Sequence, residues 1–147
     1  MRIFLAGIMQ GSHRDAVLHD QSYRIRLREM LLVHLPEADV YDPLADHTDS
    51  LSYDDEQGKS VFFHHNRLCG EVDVVIAFVP EASMGTAIEM WEAFRHGRVV
   101  VTVSPLLHNW TVRYLSDVVY PDVESLETAL REGELARRIE SILRERR

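Results

Sequence analysis

The stretch Val72-Asp73-Val74-Val75-Ile76-Ala77-Phe78-Val79 runs directly into Pro80-Glu81-Ala82-Ser83-Met84-Gly85-Thr86-Ala87-Ile88-Glu89. Beyond Asp73 its first half is apolar without alternation, which predicts a strand covered on both faces. In the second half a proline precedes Ser83 at an N-cap position, and a helical run continues from Met84 to His96, closed by Gly97. A buried strand whose carboxyl end feeds a helix is the repeating unit of a parallel sheet.

The flanking segments repeat this unit. Arg2 to Gly7 is a short apolar run ending in glycine, and Tyr23 to Leu35 sets Ile25, Leu27, Leu31, Leu32 and Leu35 among Arg24, Arg26, Arg28 and Glu29 before Pro36. The first predicts a buried strand and the second a one-sided helix stopped by the proline. Further strands are predicted at Asp39 to Tyr41, Arg98 to Val103 and Asp117 to Tyr120, with helices at Asp55 to Glu71 and from Val123 to about Arg146. The expected fold is therefore α/β, a flavodoxin-like (Rossmann-like) three-layer sandwich in one domain spanning 1–147. Its five-stranded parallel sheet takes the order 2-1-3-4-5, which places a ligand crevice at the carboxyl ends of strands one and three.

Composition narrows the function classes. With 46% apolar and 27% charged residues, 147 residues suffice for one packed core. A net charge of −8 argues against a nucleic-acid surface, and no run reaches the length of a membrane span. With no room for a signal-peptide core after Met1, a cytoplasmic location is expected. Cys69 is the single cysteine and has no zinc-type neighbours, so it is assigned no chemistry and no metal or cofactor is expected. Glu37 to Gly58 contains many acids and no Lys or Arg, the pattern of a solvated loop. Asp42, Asp46, His47 and Asp49 lie in it without the spacing of a rigid metal site; the loop is expected to rim the crevice, with Tyr41 or Tyr53 available to stack on a ligand.

Two loops meet at the crevice. After strand one, Gly7 and Gly11 permit close backbone approach, Ser12 offers a hydroxyl and Arg14 a guanidinium fork. After strand three, Ser83 caps a helix while Gly85 leaves its first amides accessible to a phosphate or carboxylate. Neither a Walker lysine nor a full dinucleotide fingerprint is present. On the helix that follows, Met84, Ala87, Ile88, Trp91 and Phe94 define an apolar face, with Glu89 opposite, near Gly85, Glu92 and His96. Periodicity alone thus makes Glu89 a solvated residue. Its place one turn beyond Gly85 also allows it to look into the crevice, where an ionised carboxylate could attack an anomeric carbon.

Taken together, Ile3 to Gly7, Tyr41-Asp42-Pro43, Val72 to Ala77 and Ser83-Met84-Gly85-Thr86-Ala87-Ile88-Glu89 resemble the nucleoside 2-deoxyribosyltransferase family, closest to its nucleoside 5′-monophosphate N-glycosidase branch. The resemblance covers roughly residues 2 to 105, and its most specific part runs from glycine to glutamate. It implies a homodimer or larger homo-oligomer acting on a small nucleoside or nucleotide without a cofactor, with Glu89 as the nucleophile toward C1′. The strand-one loop, Gly7 through Arg14, would contact substrate. Where free-nucleoside transferases have an acid six residues before the nucleophile, this chain has Ser83, as the monophosphate branch does. A residue lent by a neighbouring subunit is sought between Ser104 and Trp110, with Ser104, His108 and Asn109 as candidates.

One departure stands out. The aspartate that the family often carries eight residues before the strand aspartate is His65 here, next to Asn66. Histidine could give a proton to a departing base, since an ordinary imidazole titrates close to neutrality; equally, His64 and His65 could be plain helix residues. Two other functions remain open at this point. Gly85-Thr86-x-x-Glu89 resembles part of the motif of cytokinin-activating phosphoribohydrolases, without their leading glycine pair, and a non-catalytic nucleotide sensor would use the same crevice.

Overall fold

The computed structural model describes residues 1–146. β1 (Arg2–Gly7), β2 (Asp39–Tyr41), β3 (Val74–Phe78), β4 (Val99–Val103) and β5 (Val118–Tyr120) pair in parallel in the order β2-β1-β3-β4-β5. That is the sheet expected from the alternating pattern. Asp73 sits at the amino ends, where its carboxylate accepts from the Arg2 backbone N–H at 2.7 Å, so the motif-bearing loops lie together at the opposite edge.

Alternate strand residues feed two cores. Ile3, Leu5, Val74, Ile76, Val99 and Val101 pack against α1 (Ser22–His34), α5 (Val123–Arg131) and α6 (Glu134–Glu145). Phe4, Ala6, Val75, Ala77 and Val100 pack against α2 (Asp55–Glu71), α3 (Met84–Arg95) and α4 (Trp110–Leu115). Each fully buried Val, Leu or Ile side chain contributes about 1.5–3 kcal/mol of transfer free energy. Among the described residues no helix is long and apolar enough to cross a membrane.

Four local expectations are corrected. The terminal helix is two helices, because Gly133 turns the chain with φ of 67° and breaks the hydrogen-bond ladder between α5 and α6. α4 was not foreseen; Asn109 initiates it, its Oδ1 accepting from Thr111 N at 3.0 Å and Val112 N at 3.4 Å. In α1 the buried face is Arg24, Leu27, Met30 and Leu31, whereas Ile25 is exposed. In α3 the apolar stripe Met84, Ile88, Trp91 and Phe94 faces out, and Thr86, Met90 and Ala93 face the sheet.

Candidate active site

The rotation of α3 decides the character of the site. With Thr86, Met90 and Ala93 against the sheet, Glu89 turns toward the crevice between α2 and α3 rather than away from the protein. The cavity there has a volume of about 630 Å³, within the usual size for a small-molecule pocket. Its walls come from the β1 loop, the acidic segment after β2, α2 and the first turns of α3. Among the described residues that line it, Glu89 is the only acidic one, and none is a lysine or arginine.

Burial pushes the Glu89 carboxyl up to about 8, opposed by the positive charge of Arg24. Across the cavity, His65 is buried on α2 and its Nε2 lies 3.1 Å from the Tyr41 hydroxyl. Burial, reinforced by His47, His64 and Arg24, pushes this imidazole down to about 4. A neutral His65 can hold or orient a ligand through a hydrogen bond, but it carries no spare proton at pH 7. His47 stands beside it, with ring centroids 5.2 Å apart, and its Nδ1 lies 2.8 Å from the Tyr53 hydroxyl. Cys69 is buried, and burial together with Glu89 and Glu92 holds it as a thiol.

The helix start is capped by a side chain and otherwise open. Ser83 is the N-cap of α3, its Oγ 2.9 Å from Thr86 Oγ1 and accepting from Thr86 N at 3.4 Å. Nothing lies within 4 Å of where a Gly85 Cβ would stand, so the first turn is open to a ligand. Gly7 meets the opposite condition, since a Cβ there would strike the Tyr23 ring, whose hydroxyl donates to the Ile8 carbonyl at 3.0 Å.

The cavity brings together Gly7, Gly11, His65, Ser83, Gly85 and Glu89. Ser12 and Asn109 line a smaller, more apolar cavity of about 370 Å³ that shares Gly11, Ser83 and Met84 with the first. Asn109 spends its side-chain carbonyl on capping α4, and Ser104 is buried with its Oγ accepting from Leu106 N at 3.1 Å. Arg14 is exposed and lines neither cavity. Of the two tyrosines proposed for stacking, Tyr53 lines the cavity and Tyr41 stands behind it against His65. The acidic segment supplies Pro43, His47, Ser50, Leu51 and Tyr53 to the wall, the rim it was expected to form.

Two buried residues escaped the sequence reading. Asn66 is 7% exposed, donates to the Phe62 carbonyl at 2.9 Å and leaves its Oδ1 without a partner beside the cavity. Arg24 lies beneath the β1 end of the site. Its signal was present, because positions 24, 27 and 31 share one helical face.

No protein-family model matches the sequence, and no curated protein matches it. Solved structures do. The chain superposes on a 2-deoxyribosyltransferase of Bacillus psychrosaccharolyticus with a TM-score of 0.64 and 18% identity, over 86% of this chain and 90% of that one. It superposes on the CMP N-glycosidase BcmB of Clostridium botulinum with a TM-score of 0.54 and 22% identity, over 92% and 99%. A conserved protein from Enterococcus faecalis V583 gives 0.57 at 18% identity, over 95% and 97%. These identities establish a shared three-dimensional arrangement. The chain has the fold of a 2-deoxyribosyltransferase and of a CMP N-glycosidase, as the motif resemblance implied.

Proposed function

We propose that this protein cleaves the N-glycosidic bond of a nucleoside 5′-monophosphate, with Glu89 as the nucleophile. The observation that carries this reading is a lone carboxylate in the main cavity, one turn beyond a capped and open helix start. A Glu89 oxygen attacks C1′, the C1′–N bond breaks, and its electron pair leaves with the base, which takes up a proton. Water then opens the glycosyl ester, or a second base takes the sugar.

Ser83, Gly85 and the first amides of α3 hold the phosphate in this reading, and Gly7 and Gly11 let the nucleotide lie close to the β1 loop. Ser12 reaches the ligand from the adjoining cavity. Asn109 faces the same adjoining cavity, with its Oδ1 committed to capping α4, and Arg14 requires a rearranged loop or a second subunit to take part. His65, kept neutral, positions the base by hydrogen bonding, while bulk water supplies the proton that the departing base takes up. Such an enzyme acts on cytoplasmic nucleotides. It is a homo-oligomer in this proposal, because Met84, Trp91, Phe94 and Trp110 expose 81%, 50%, 45% and 75% of their surface on one side of the sheet.

The sensor reading draws on the same pocket and on the lack of a charged acid opposite Glu89. One assay separates the two. The protein is incubated with nucleosides and 5′-monophosphates and liberated base is followed by chromatography. Base release that disappears in Glu89→Ala supports the enzyme; nucleotide binding without any release sinks it.

A further inference from the structure

Arg24 sits in the first turn of α1, yet it is only 1% exposed. Four of its five N–H donors are used. Nε donates to Gln21 Oε1 at 2.8 Å, Nη1 to the Leu5 carbonyl at 2.9 Å and to Asp42 Oδ1 at 3.1 Å, and Nη2 to the Gly7 carbonyl at 3.1 Å. Gln21 passes the linkage on by donating to the Ile8 and His19 carbonyls. Asp42 holds the start of the acidic segment, accepting from Leu44 N at 3.0 Å. One guanidinium thus ties the carboxyl end of β1, the end of β2 and the entrance of α1 into one piece behind the cavity wall.

Three of the four contacts go to neutral oxygens, and Asp42 is the only carboxylate in contact. Gly7, which accepts from Arg24, is itself part of the cavity wall that Glu89 faces.

The remaining groups around Glu89 do not replace this charge. From α1 there is the Tyr23 phenol; from the segment after β2, Asp42, Asp46 and His47; from α2, His65 and Cys69; from α3 itself, Glu92. His19 and Glu81 pair with each other at the rim, 3.2 Å apart.

We propose that Arg24 is a positioning residue for the chemistry at Glu89: its buried guanidinium, bonded to the Gly7 carbonyl, holds the β1 end of the wall that Glu89 faces and keeps a fixed positive charge directly behind that wall. The proposal rests on the reading of Glu89 as nucleophile. Tyr23 supports the placement, because the Arg24 guanidinium carbon lies 5.2 Å from its ring centroid while the same ring packs against Gly7 and its hydroxyl donates to the Ile8 carbonyl at 3.0 Å. Arg24 is likewise the one group that opposes the effect of burial on Glu89.

The test uses two substitutions that a purely structural role would move in the same direction. Arg24→Gln removes the cation and keeps an amide donor for the carbonyls. Asp42→Asn removes the balancing anion and leaves the cation in place. The Glu89 carboxyl is titrated by ¹³C NMR in the full chain, assigned by its loss in Glu89→Gln, alongside the pH profile of base release from nucleoside 5′-monophosphates. Arg24→Gln is expected to raise the Glu89 titration by about one pH unit or more, and Asp42→Asn to lower it. Base release in Arg24→Gln falls at neutral pH through kcat rather than KM and is partly regained in alkali, and Arg24→Lys restores much of it. Titrations that coincide with wild type, or that move the same way in both variants, overturn the proposal. Should Arg24→Gln fail to fold, the absence of a downward shift in Asp42→Asn is sufficient to overturn it. The NMR readout needs no turnover. Opposite shifts without any base release would therefore sink Glu89 as nucleophile and uphold its coupling to Arg24.

Discussion

Replacing Glu89 by glutamine should stabilise the protein, and by an amount that grows with pH. The Glu89 carboxyl titrates at about 8 in the folded chain, above its ordinary value of 4.5, because burial disfavours its charge. Folding therefore takes up a proton between these two pH values. The Glu89 contribution to stability is most favourable below about pH 4.5, where the carboxyl is neutral in both states, and is lost as pH rises from there through about 8. At about 1.4 kcal/mol per pH unit the full cost approaches 5 kcal/mol, and water entering the open cavity reduces it to about 2–4 kcal/mol. The isosteric amide carries no such cost. Thermal unfolding of both proteins should differ little at pH 4.5, whereas at pH 9 the Glu89→Gln melting temperature should be higher by roughly 5–15 °C. The effects of His65 and of every other titrating group are common to both proteins and cancel in the difference. Parallel melting curves across this range would refute the claim that a carboxylate raised by burial sits in the cavity.

Further outcomes follow from the helix start and from the exposed stripe. Ser83→Ala removes the cap, lowering stability by about 1 kcal/mol, and should raise KM for 5′-monophosphates about tenfold while leaving free nucleosides unaffected; equal losses on both substrates would remove phosphate from the role of Ser83. Trp91→Glu places a charge on the stacked Trp91–Phe94 pair, whose ring centroids are 5.9 Å apart, and should shift the protein toward monomer by light scattering. An unchanged mass would assign that surface another use.

The sheet was legible because its signal is redundant. Val72 to Val79, Arg98 to Val103 and Arg2 to Gly7 are apolar on both faces, and only a sheet covered by helices on two sides accommodates three such runs. Helix faces were less legible, because periodicity detects an apolar stripe without saying what covers it. On α3 the stripe of Met84, Ile88, Trp91 and Phe94 is the exposed one, and the smaller Thr86, Met90 and Ala93 meet the sheet. That inversion turns Glu89 from a solvated residue into a cavity residue. On α1 the same rule hid Arg24, since a cation on the core face is acceptable only when strand-end carbonyls and Asp42 wait for it, and those partners are distant in sequence. Loop residues were legible as a group but not singly. Gly7, Gly11, Ser83 and Gly85 reach the main cavity through the backbone positions that the strands fix, whereas Arg14 extends from a loop whose course the sequence does not specify.

The most direct measurement of the central claim is to quench a reaction with a nucleoside 5′-monophosphate in acid within the first turnover, digest the protein and weigh the peptides. The account predicts a phosphorylated pentosyl adduct on the peptide containing Glu89, absent in Glu89→Ala, and liberated base equal to the adduct in the first turnover. Liberated base with no adduct at Glu89, or release undiminished in Glu89→Ala, would contradict it.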